Sequence, residues 1–356
     1  MKQASAYLIL IVLIVNNLCF GQIDTTQSCG GCCCQEDLTP SGVMISHVHE
    51  RGEFMVSYRF MHMGMAGMQS GTASVSDEHI FQKYLMSTSQ MRMDMHMLMG
   101  MYGISSRLTV MAMVHYNVNS MEMEMLPTAS HTHTMKGASM ESEEMEMSMR
   151  TSGLGDTKLH LLFSLLNSSE HHMVIATGIN VPMGSIQEKG SSKSMYPDQR
   201  YPYVMQLGSG TWDLLPCVSY LYQMGRFAAS TQVTGVIRTG QNSVGYKLGD
   251  EISSNTWFAF RFLRSFTSSL RVEASSMGAI KGSDKSLYTY NEPAANPKNY
   301  GGERAMAFLG AGYLFQKGVL NNNKLSLEYG MPFYQQLNGP QMPVTYVVNA
   351  SWSYVF

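Results

Sequence analysis

The chain has 356 residues, a formal net charge of −2, only 14% charged residues and 33 methionines. Near-neutrality gives no electrostatic case for a nucleic-acid partner. Beyond the first residues no segment offers the roughly 18 uncharged apolar residues of a spanning helix, so any membrane crossing has to be built from strands.

Residues 1–21 read as a secretory signal, with Lys2 as the positive start, Ala6 to Val15 as the apolar core and small Cys19 and Gly21 at the cleavage site. The exported chain is then expected to begin at Gln22 and to carry a Cys/His-containing periplasmic segment, 22–52. Its cluster is Cys29-Gly30-Gly31-Cys32-Cys33-Cys34. Neighbouring cysteines stand too close for an unstrained disulfide. Cys29 and Cys32 are far enough apart to form a disulfide or to hold a soft metal ion, and both options stay open.

From 53 onward, apolar and polar residues alternate with the period of two that marks a half-buried strand. Strands are predicted at 53–63, 91–102, 107–117, 154–166, 171–181, 207–221, 227–238, 252–263, 267–277, 304–315, 324–333 and 344–356. In the last, Tyr346, Val348, Ala350, Trp352, Tyr354 and Phe356 share one face. Short turns near 103–106, 167–170, 224–226, 264–266 and 316–323 alternate with long loops at 64–90, 118–153, 182–206, 239–251, 278–303 and 334–343. That asymmetry, with an even strand count, belongs to transmembrane barrels whose short turns are periplasmic. The expectation for 53–356 is an all-β transmembrane antiparallel barrel of about 12 strands in the bacterial outer membrane. Outer-membrane lipid and the barrel-assembly machinery would be its partners. A soluble β-sandwich would explain the strands but not the loop asymmetry or the aromatic last residue.

Of the 33 methionines, 23 lie between Met44 and Met149, often spaced by two. Parity predicts where they point. Phe54, Val56, Tyr58 and Phe60 claim the lipid, which turns Met55, Met61 and Met63 inward. Leu108, Val110, Ala112, Val114 and Tyr116 do the same for their strand, sending Met111, Met113 and His115 to the lumen. In 91–102, Arg92, Asp94 and His96 are expected to face the lumen, leaving Met93, Met95 and Met97 for lipid. The loop predicted at 118–153 holds Met121, Met123, Met125, His131, His133, Met145, Met147 and Met149, with six glutamates against two cations. Thioether sulfur suits soft ions such as Cu(I), and carboxylates would concentrate cations nearby.

Five stretches carry a family likeness: His47 to Met61, Met91 to Met97, Ser152-Gly153-Leu154-Gly155-Asp156, Gln206 to Pro216, and Gly339-Pro340-Gln341. Over about 43–356 the chain resembles Met-rich bacterial outer-membrane "transporter" barrels, similar to those grouped with meta-pathway phenol degradation. The resemblance implies an outer-membrane location and supplies no site residues. The cysteine cluster and the long Met/Glu loop fall outside its pattern.

The resulting expectation is a barrel that binds or transports soft metal ions, most plausibly copper as Cu(I), through a Met/His-rich lumen and loop. One alternative is a channel for small hydrophobic or aromatic compounds, with methionine as a compliant lining. Another is a non-transporting surface protein that sequesters metal. No nucleophile and base stand at a spacing that suggests an enzyme.

Overall fold

The computed structural model describes residues 38–125, 147–190 and 199–356. The predicted signal sequence, Cys29, Cys32, His131, His133 and Met145 lie outside them. Twelve antiparallel strands close on themselves: β1 (Phe54–Ala66), β2 (Met86–Ser105), β3 (Leu108–Met125), β4 (Met147–Leu154 continued by Thr157–Asn167), β5 (His171–Val181), β6 (Asp213–Leu214 continued by Cys217–Met224), β7 (Phe227–Arg238), β8 (Glu251–Arg261), β9 (Phe266–Met277), β10 (Gly302–Leu314), β11 (Asn323–Gln341) and β12 (Val344–Val355). Each pairs with its neighbours in sequence, and β12 returns to β1 through a register running from Met55↔Val355 to Met65↔Val344. Closure removes every sheet edge, which a bilayer requires.

The outer face carries the expected apolar belt. Leu159, Leu161, Phe163 and Leu165 on β4, Val218 on β6, Leu270 and Val272 on β9, and Leu325, Leu327 and Tyr329 on β11 are exposed there. Aromatic rings edge the belt at the short-turn end, where Phe54 and Phe356 lie 5.7 Å apart, and at the long-loop end, where Tyr329 stacks with Tyr346 at 6.3 Å. Such girdles mark the two membrane interfaces. The fold is an outer-membrane β-barrel.

Three expectations need correction. First, β3 and β4 run beyond the membrane belt, so 118–125 and 147–153 are paired strand, and the connection shrinks to 126–146. Second, the predicted loop 334–343 is mostly strand, because β11 continues to Gln341 and turns tightly into β12. Its upper half pairs with β10, and it reaches the small hairpin that follows β1.

The third concerns β2, whose faces are reversed. Met91, Met97, Met99 and Met101 are buried inside, while Arg92, Leu98 and Tyr102 face out. The polar residues that were expected in the lumen find partners on the outer surface. Asp94 Oδ1 meets His62 Nδ1 at 2.6 Å, His62 Nε2 meets the Tyr346 hydroxyl at 3.0 Å, and His96 Nδ1 meets the Tyr58 hydroxyl at 2.7 Å.

Candidate functional site: a chamber between plug and lid

Both ends of the lumen are filled. From the periplasmic side, residues 38–52 thread inward. Lys324 Nζ donates to the Thr39 carbonyl at 2.8 Å, Arg59 Nη2 to the Val43 carbonyl at 2.9 Å, Gln232 Nε2 to the Ile45 carbonyl, and the His49 amide donates to Thr109 Oγ1 at 2.8 Å. Gly42 passes so close to the wall that a Cβ there would overlap the Arg271 guanidinium. Its amide donates to Glu328 Oε2.

On the outer side, the connections around 200–211, 242–248 and 280–300 fold over the mouth. Tyr203, Tyr246 and Tyr300 meet edge to face, with ring centroids 4.7 and 5.6 Å apart. The Tyr203 hydroxyl accepts from the Asp284 amide at 3.0 Å, and Arg200 pairs with Asp284 at 3.2 Å. Burial holds the Tyr203 and Tyr300 hydroxyls above their ordinary titration range. In the same lid Glu292 is buried and its Oε2 has no hydrogen-bond partner, so desolvation raises its pKa to about 8.

Between plug and lid lies a chamber of about 480 Å³, within the usual range for a small-molecule pocket. Its two walls differ. The wall made by β1–β3 is a thioether face. Register places Met55 beside Met101, Met61 beside Met95, Met63 beside Met93 and Met65 beside Met91. On the other side of β2, Met101 stands beside Met111, Met99 beside Met113, Met97 beside His115 and Met91 beside Met121. The predicted inward set of Met55, Met61, Met63, Met111, Met113 and His115 therefore faces the lumen. Met93, Met95 and Met97, predicted for lipid, join it through the reversal of β2.

The opposite wall is a hydrogen-bonded charge network. Asp156 Oδ2 accepts from Asn180 Nδ2 at 2.8 Å, and from the Ser209 amide and hydroxyl at 2.9 and 2.6 Å. Asp213 accepts from Thr211 at 2.7 Å and pairs with Arg238 at 2.5 Å. Thus two stretches of the sequence likeness, Gly155-Asp156 and Gly208-Ser209 through Asp213, meet at one point. Lower down, Arg271 donates to Glu328 at 3.0 Å and to Asn255 and Glu273 at 2.6 Å each, and lies 3.7 Å above the Phe308 ring. No local pattern in the sequence joins Arg271 to Glu328, which lie on different strands and pair directly.

The remaining candidate residues fall elsewhere. Met121, Met123 and Met149 are buried under the lid with Met86, Tyr201 and Met205, and Met125 packs against them. They lie in a buried cluster and not on a wet loop. Met147 opens β4 opposite Met123. Among the described residues no cluster of three or more His, Cys, Asp or Glu could hold a metal ion.

No protein-family model matches the chain, and no curated protein does. Solved barrels do. The COG4313 outer membrane channel from Pseudomonas putida F1 is 13% identical, with a TM-score of 0.56 over 87% of this chain and 97% of that one. A Pseudomonas aeruginosa FadL homologue aligns at 11% identity and TM-score 0.40, over 85% and 89%. The Ralstonia pickettii toluene transporter TbuX aligns at 10% and 0.40, over 86% and 90%. The first of these likenesses fixes the fold as the closed twelve-stranded barrel described above.

Proposed function

We propose that the protein is an outer-membrane channel for small, predominantly apolar solutes, which cross along the methionine wall. The observation that carries this is the chamber's asymmetry. One wall is mostly unbranched, polarizable thioether, with its cation Arg59 turned to the Val43 carbonyl of the plug. On the other wall the carboxylates of Asp156 and Asp213 are already hydrogen-bonded within the protein. Methionine adapts to irregular apolar shapes, so one wall accommodates solutes of differing outline. The carboxylates of Asp156 and Asp213 are saturated by protein donors and offer little to a polar solute. The channel named in the P. putida structure agrees with transport as the class of activity.

The test is uptake of N-phenyl-1-naphthylamine, an apolar fluorophore, by cells expressing the barrel. Fluorescence should rise faster than in cells without it, while liposomes holding the purified protein should swell little in arabinose. Rapid swelling in the sugar without faster dye uptake would replace this reading with a general porin.

A further inference from the structure

We propose that the central rungs of the methionine face bind a soft monovalent cation, Cu(I) or Ag(I), at a lumen site formed by Met61, Met95, Met97, Met113 and His115. The apolar-solute reading, on which this inference does not depend, asks for a compliant apolar wall and not for the sulfur itself. The wall nevertheless uses methionine at all six inward positions from Met91 to Met101 on β2, and repeatedly on the two strands beside it.

Geometry makes sulfur matter. Side chains directly opposite on antiparallel strands have Cβ atoms only about 4.5–5.5 Å apart. Met61 and Met95 are such a pair, and Met97 and His115 form the next rung down. Met113 stands one rung lower again, beside Met99. Successive rungs lie two residues apart, about 7 Å along the strand, so flexible thioethers from the rungs on either side can reach an ion at the Met97–His115 rung. All five residues line the chamber. Met97 and Met113 belong to the buried cluster below, Met95 packs against it, and Met61 touches both that cluster and the one above.

A second observation points to a ligand. His115 Nδ1 is buried and has no hydrogen-bond partner. An orphaned buried imidazole nitrogen is costly, and coordination of a metal ion would satisfy it. Neutral thioether and imidazole donors select soft, low-charge ions over Mg(II) or Ca(II). Two cations stand near. Arg59 shares the Met97 rung, with its guanidinium turned to the Val43 carbonyl at 2.9 Å, toward the plug, and Lys158 is the cross-strand neighbour of Met113, which disfavours ions of higher charge.

The experiment is a silver nitrate titration of the full chain, refolded in detergent in chloride-free buffer. Cys29, Cys32, Cys33 and Cys34 are replaced by Ser and Cys217 by Ala, so that thiolates do not mask thioethers. The expected result is a bound Ag(I) whose affinity falls by at least about tenfold in the Met61→Leu/Met95→Leu/Met97→Leu/Met113→Leu variant, because sulfur donors are lost at constant apolarity. His115→Gln should also weaken it, whereas Met135→Leu/Met140→Leu/Met145→Leu should leave this site unchanged. Undiminished binding in the four-leucine variant, or a loss that follows only the second set, would overturn the proposal. If the four-leucine chain fails to fold, methyl-labelled methionine spectra of the parent decide instead. Silver should shift the methyl signals of Met61, Met95, Met97 and Met113, and unmoved lumen signals would overturn the site.

Discussion

The two walls of the lumen solve the same burial problem in opposite ways. On β1–β3 methionine fills most inward positions, all six from Met91 to Met101 on β2, and little there depends on any one partner. On β4–β11 the inward positions carry Asp156, Asp213, Arg238, Arg271 and Glu328, each held by named hydrogen bonds. A thioether face tolerates change because its contacts are diffuse. A buried ionic network does not, because removing one member strands the rest. One wall is therefore built to adapt to what passes, and the other to stay fixed.

Breaking the fixed wall should have the largest effect. Arg271→Leu leaves Glu328 buried beside the plug without its cation, and a broken buried pair typically costs about 3–5 kcal/mol. Urea unfolding in detergent should show that loss, and limited proteolysis should find 38–52 more accessible. Double replacement with Glu328→Leu should recover much of the stability, which separates the stranded charge from lost packing.

The lid offers an intermediate case, a buried acid with no partner. Burial raises the pKa of folded Glu292 to about 8 from the ordinary carboxyl value of 4.5. The folded state therefore holds a proton that the unfolded chain releases. Its contribution is fully present below pH 4.5 and is lost as pH rises toward 8, after which the penalty is constant. Glu292→Gln should remove this dependence and stabilise the lid near pH 8, read by hydrogen exchange of the amides around 292–300. An unchanged pH profile would mean that the carboxyl is hydrated.

The adaptable wall should respond least. Met113→Leu is a near volume-conserving swap and should cost less than about 1.5 kcal/mol in the same urea assay. Uptake of the naphthylamine should be unaffected.

The barrel was legible in the sequence because each strand exposes one face to lipid, so period two is written across all twelve. Leu159 against Lys158 and Trp352 against Ser351 needed no structure to sort. The β2 strand misled because charge was taken to mean lumen. Near the outer interface an Arg92 or Asp94 can face outward, where His62, Tyr58 and Tyr346 meet Asp94 and His96. The better signal was present: Leu98 and Tyr102 share the parity of Arg92, and Met61 and Met63 on the neighbouring strand already pointed inward. Strand extension past the membrane was missed because Met121, Met123 and Met149 alternate with Glu122, Glu124 and Arg150, which reads as wet loop when the burying lid is unseen. The plug and lid were invisible altogether. Their contacts join residues such as Gly42 and Glu328, or Tyr84 and Asn299, and no local pattern encodes such long-range pairing.

The claim that solutes follow the methionine wall is tested most directly by changing its polarity at constant size. Met95→Gln/Met97→Gln/Met113→Gln keeps side-chain length but lines the chamber with amides, whereas the corresponding leucine variant keeps it apolar. With both variants folded to the same heat-modifiable form, naphthylamine uptake should fall toward that of cells lacking the barrel for glutamine and stay at the parent rate for leucine. Uptake at the parent rate in the glutamine variant would contradict the account.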